Sequence, residues 1–211
     1  MTIKTPLFNI KIDILFIVAM FIFFLYPNLR LFLSSFLICY MFIIFHEASH
    51  MLIGTILGKS IDTFKISLFG VSVSFCKKHY EVKKNIKKEE FIKEIFIYIA
   101  GPLSNFILAI IFKNIRLVFD INIFLGFLNL IPVYPLDGYN ILKNFLLIRF
   151  KETNVEKVII FSNCIFFLVL FILGIICLVV IYNPSLILFL IYLLIIKNSD
   201  IKYKNKTRFC K

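Results

Sequence analysis

Long apolar runs follow one another along this chain, most of them about 17 to 25 residues, the length that crosses the roughly 30 Å hydrocarbon core of a bilayer when wound into a helix. They lie near 10–26, 31–57, 92–112, 117–135, 158–182 and 185–197; the fourth is interrupted and the last is short. In lipid every backbone N–H and C=O must find a partner inside the protein, which favours helices for such segments. The pattern predicts an all-α polytopic membrane protein of about six transmembrane helices. Composition agrees, since 61% of the 211 residues are hydrophobic and 17% charged, with a mean hydropathy of +0.95. Soluble domains carry nearer a quarter of charged residues. The first run has no small-residue cleavage site and further runs follow it, so it is expected to stay as a span rather than leave as a signal peptide.

Two other kinds of segment separate the second and third runs. From Lys65 to Phe75 polar and apolar residues alternate, with Gly70 placed for a turn, which predicts a β-hairpin; Lys77 to Glu94 is basic and helix-compatible, which fits an interfacial helix. The formal charge of +12 does not point to nucleic acid, because Lys and Arg flank apolar runs instead of forming one stripe. They gather before the first run, between the second and third, between the fourth and fifth, and after the last; the opposite side holds Arg30, Lys113 and Arg116. By the positive-inside rule both termini are expected in the cytoplasm, with the second run travelling inward from Leu31 toward Gly58. Cys39, Cys76, Cys164, Cys177 and Cys210 are scattered without a Cys-x-x-Cys pair and are expected to be packing or inert thiols. Residues 1–211 are expected to form a single membrane domain with its core in 30–150 and no appended soluble domain.

The second run carries chemistry. His46 and His50 stand four apart, so on a helix their imidazoles project from one face, one turn apart, and can bind a single Zn²⁺ beside Glu47 as proton acceptor. Three ionisable groups on an apolar span cost at least about 2.5 to 3.5 kcal/mol per charge, and intramembrane groups of this kind are functional by default. Two histidines leave zinc short of a third protein ligand, for which Asp137 is the candidate. It sits in Asn129-Leu130-Ile131-Pro132-Val133-Tyr134-Pro135-Leu136-Asp137-Gly138, where two prolines and a glycine unwind the fourth run, and unwound backbone at membrane depth is tolerated where it lines a protein cavity. Asn129 offers an amide for a carbonyl oxygen that turns negative during hydrolysis, or alternatively a helix–helix hydrogen bond. Asp13 and Asp120 lie near span ends and are expected to be solvated or snorkelling.

HEASH in the second run together with N-x-x-P-x-x-P-L-D-G in the fourth resembles the site-2 protease family of intramembrane metalloproteases. Ala100-Gly101-Pro102-Leu103-Ser104-Asn105-Phe106 is similar to that family's Gly-Pro-x-x-Asn segment, where small residues allow close helix packing and Asn105 can bond across the bundle. The similarity spans roughly 30–150. The six-run layout with cytoplasmic termini looks most like the subgroup of stage IV sporulation proteases called factor B. That subgroup implies a bacterial cell membrane and a sigma-factor precursor as substrate. Two departures stand out: Ala48-Ser49 replaces the family's usual Leu-Gly, and the subgroup's C-terminal nucleotide-sensing domain is expected to be lacking, since residues 1–211 hold no stretch that matches it.

These observations lead to the expectation of one zinc per chain held by His46, His50 and Asp137, with Glu47 taking a proton from water and passing it to the leaving amine. The expected reaction is hydrolysis of a peptide bond in a membrane-associated or transmembrane substrate. The expected partners are that substrate, membrane inhibitory proteins and the lipid bilayer, without direct nucleic-acid binding. Because a helical substrate hides its scissile carbonyl, an edge of the 65–75 hairpin is expected to capture it by strand addition. The alternative is a transporter or metal-binding scaffold using the same His and Asp residues as an ion site.

Overall fold

The structure, a computed structural model, describes residues 2–4, 8–26, 30–68, 70–76, 88–184 and 186–195. The chain divides into two compact units, 1–128 and 129–211.

In the first unit the expected hairpin is present and is part of something larger. Strands β1 (Thr2–Lys4), β2 (Asn9–Ile12), β3 (Ile61–Ser67) and β4 (Gly70–Phe75) form one sheet in the order β1-β2-β3-β4. β1–β2 and β3–β4 are antiparallel, whereas β2 runs parallel to β3. The parallel pair requires a crossover, supplied by α1 (Ile14–Leu25) and α2 (Arg30–Ile56). The run expected as a span from 10 to 26 therefore begins as strand and turns helical only after Asp13. Asp13 N–H continues the ladder to Ile66 O at 2.9 Å, and its carboxylate accepts from Leu15 N–H at 3.4 Å as the cap of α1. The expected acid at the start of the first run thus also caps the helix that follows.

The hairpin is fastened to α2. The Tyr40 hydroxyl lies 2.8 Å from Ser67 O and 3.3 Å from Gly70 O, and Ser67 Oγ donates to Gly70 O at 2.8 Å. A Cβ added at Gly54 would run into the Phe75 ring, so the end of β4 rests on bare α2 backbone one turn beyond His50. Lys59, just past α2, pairs with Glu90 at 2.9 Å near the start of α3 (Lys88–Ile111). The interfacial helix expected over Lys77 to Glu94 falls outside the described residues from 77 to 87, and 88–94 form the first turns of α3. α4 (Arg116–Leu130) follows, with Asp120 exposed and 3.7 Å from Arg116, at the surface as expected.

The second unit opens with the predicted interruption. Residues 131–136 are irregular, then α5 (Asp137–Leu147), α6 (Glu152–Ile181) and α7 (Leu186–Ile195) follow. The unwound backbone is supported from α6, where Asn163 Oδ1 accepts from Tyr134 N–H at 2.8 Å. Val133 is buried with Leu170, Leu190 and Leu193. Gly138 must be glycine, because a Cβ there would collide with the backbone of Leu130 and Ile131.

Among the described residues three helices are long and apolar enough to cross a membrane: α2 over 33–56, α3 and α6. α1 and α7 are apolar but shorter. At 12 residues α1 is roughly 18 Å long, less than the hydrocarbon core. The described residues are mostly helical, with three candidate spans and a small sheet that extends the expected hairpin. Among the described residues Cys39, Cys76, Cys164 and Cys177 are free thiols.

Candidate metal centre

α2 carries His46 and His50 one turn apart, and both are buried. Their rings meet edge to face at 4.8 Å, and their Nε2 atoms point at each other 3.1 Å apart. Two imidazoles on one tetrahedral zinc, each at about 2.0–2.1 Å, bring their nitrogens to about 3.3 Å, close to this separation.

The far side of each ring is held by α3. His50 Nδ1 lies 2.6 Å from Ile97 O; a carbonyl only accepts, so Nδ1 carries the proton and Nε2 keeps its lone pair. His46 Nδ1 lies 3.1 Å from the Asn105 amide. Ile97, Gly101 and Asn105 follow at four-residue intervals and are all buried on one face of α3. Gly101 fronts the two histidines: a Cβ built there would press on the Nε2 atoms of both His46 and His50. The space before those nitrogens is kept clear by the lack of a side chain. Pro102, next along, is buried and removes an N–H from the helix ladder at that level.

Glu47 adjoins His46 on α2 and is half-buried. Ser49, one of the two departures from the family pattern, donates from Oγ to Phe45 O at 2.9 Å, so its hydroxyl is satisfied within the helix. Asn129 lies near the end of α4, and Asp137 is the first residue of α5, where the helix dipole favours negative charge. His46 and His50 offer two buried imidazole nitrogens, and Asp137, in the second unit, offers a half-buried carboxylate, donor types that zinc takes. The imidazole pair and the clearance at Gly101 both fit a cation at the Nε2 atoms, and the buried Asn105 amide oxygen has no donor among the described residues.

The chain's similarity to known proteins agrees with this chemistry. Residues 113–173 match peptidase family M50. The M50 match takes in Asn129, Asp137 and the broken segment, and does not reach the histidines. The chain is 31% identical over 122 residues to zinc metalloprotease MJ0392 of Methanocaldococcus jannaschii, covering 51% of this chain. It spans about a third of that relative's length, 33%. The fold resembles the solved site-2 protease from Methanocaldococcus jannaschii, with a TM-score of 0.60 and 22% identity over 92% of each chain. The family match thus covers the broken segment and its surroundings, the relative is itself a zinc metalloprotease, and the likeness to the solved structure is one of fold.

The residues that sequence reasoning missed are those holding the ligands. Asn105 was expected to bond between helices, but its partner, His46, was not foreseen; Gly101 was expected to allow close helix packing, not to front the histidines, and Ile97 had no assigned role. The four-residue spacing of Ile97, Gly101 and Asn105 was the available signal.

Proposed function

We propose that this protein is an intramembrane zinc metalloprotease of the M50, site-2 protease type, hydrolysing a peptide bond in a membrane-associated or transmembrane protein. The observation that carries this reading is the pair of buried imidazoles within His-Glu-x-x-His, their Nε2 atoms converging at 3.1 Å and their other nitrogens occupied by α3.

In this reading His46, His50 and Asp137 hold one zinc per chain, and the two units work as one catalytic domain. Zinc, when bound, polarises the scissile carbonyl and makes a water nucleophilic near neutral pH. Glu47 takes the proton from the attacking water and delivers it to the leaving amine, so that the peptide nitrogen departs neutral. The Asn129 amide donates to the carbonyl oxygen as its charge grows. Gly101 keeps side-chain bulk away from the reacting atoms, and the surrounding apolar helices exclude bulk water, which strengthens each charge interaction.

The chain is a multi-pass protein of a bacterial cell membrane with both termini in the cytoplasm, as the distribution of Lys and Arg supports. A sigma-factor precursor is the substrate implied by the resemblance to sporulation proteases, and membrane inhibitory proteins are the corresponding partners. The transporter alternative gives Glu47 and the peptidase match no role, and is set aside.

Co-expression with tagged candidate membrane substrates tests this reading. Wild-type protein should cleave at least one, and Asp137→Asn should lower cleavage at least tenfold while reducing zinc retained through purification. Full cleavage and full zinc in Asp137→Asn would remove that residue from the ligand set.

A further inference from the structure

Asn105 is completely buried on α3, 59 positions along the chain from His46, and one end of its amide lies 3.1 Å from His46 Nδ1 while Oδ1 has no hydrogen-bond donor among the described residues. The two ends of a carboxamide have nearly the same shape and opposite hydrogen-bonding roles, so the assignment of oxygen and nitrogen follows from the partners. Two arrangements are open. With the amide nitrogen toward the ring, His46 Nδ1 accepts, the ring proton sits on Nε2 and points at His50, and a buried oxygen is left in a place that no donor reaches. With the oxygen toward the ring, His46 Nδ1–H donates to Oδ1, and the lone pairs of both Nε2 atoms face the space before Gly101.

We propose that Asn105 is a positioning residue for the metal centre: its amide oxygen accepts the His46 Nδ1–H and fixes the tautomer in which Nε2 is the metal donor. This rests on the metalloprotease reading above and deepens it. His50 supplies the parallel, since its Nδ1 is held by an acceptor that cannot reverse, the carbonyl of Ile97 at 2.6 Å. α3 thus presents two acceptors eight residues apart on one face, a main-chain oxygen for one histidine and a side-chain oxygen for the other. Gly101 lies midway between them and leaves the nitrogens clear. Metal-bound histidines commonly give their second N–H to such an acceptor, which orients the ring and raises its basicity.

The two orientations predict opposite behaviour for a residue that only accepts. Zinc affinity of the full chain in detergent, measured by competition with a chelator of known strength, should fall about 10- to 100-fold in Asn105→Ala. In Asn105→Asp it should stay within a few-fold of the parent, because a carboxylate oxygen replaces the amide oxygen. An Asn105→Asp protein that is folded yet binds zinc as weakly as Asn105→Ala would overturn the proposal, as would parental affinity in Asn105→Ala.

A second measurement does not depend on the alanine variant folding. The chain has three histidines, so nitrogen-15 labelling of histidine gives a simple spectrum. In zinc-loaded protein the His46 Nδ1–H proton should move downfield in Asn105→Asp, as a charge-assisted bond shortens; an unmoved resonance counts against the amide oxygen as acceptor. A parent chain that takes up no zinc would instead overturn the metalloprotease reading, and this inference with it.

Discussion

A single methyl group at position 101 would occupy the space into which both histidine Nε2 atoms point. Gly101→Ala is therefore expected to lower zinc affinity at least tenfold, and also to lower Tm, because overpacking two held rings costs about 1–3 kcal/mol, more than alanine's better helix propensity returns. Chelator competition alongside thermal unfolding checks this on folded protein: parental zinc affinity would show that the metal lies elsewhere. At this scale much was legible in the sequence. His46, Glu47 and His50 announce themselves because helical spacing alone brings the imidazoles together, and Asp137 because two prolines and a glycine break an apolar run around it. The hold on the histidines was not legible. It depends on how α3 packs against α2, and the spacing of Ile97, Gly101 and Asn105 gains meaning only once that packing is known.

Elements show the same division. The 65–75 hairpin could be read from alternation, and its turn fell at Gly70, where φ is +145°. Its neighbours β1 and β2 could not, because Ile10 to Ile12 reads as the start of an apolar run and parallel pairing with β3 joins residues more than 50 positions apart. β4 ends the sheet among the described residues, with Val71 buried and Val73 half-buried. We propose that an extended stretch of substrate adds to the free edge of β4. Proline at Val73 or at neighbouring Ser72 probes this, because successive N–H groups point to opposite edges and proline removes the donor. At the outward-facing position cleavage should drop about tenfold or more with zinc content and Tm unchanged. Unchanged cleavage at both positions in folded protein would exclude strand capture.

Over the whole molecule, three of the expected runs appear among the described residues as helices long enough to cross a membrane. The first run shows what a window of apolar residues cannot resolve, since it begins as strand and continues as a helix of 12 residues. Charge distribution carries the proposed orientation, and reporter fusions test it: tags at both termini should behave as cytoplasmic, and a periplasmic signal from either would reverse or break the proposed topology. α6 makes the case for lipid contact, with a mean hydropathy of 3.1 and apolar side chains such as Ile160, Phe161 and Val179 exposed. The central proposal is one catalytic event, a proton passed from water to a leaving amine by Glu47. The direct measurement pairs zinc content with cleavage in purified wild-type and Glu47→Gln protein on one substrate. Both proteins should hold about one zinc per chain, and only the wild type should cleave; cleavage surviving in Glu47→Gln, or a wild type that cleaves without zinc, would show that the chemistry lies elsewhere.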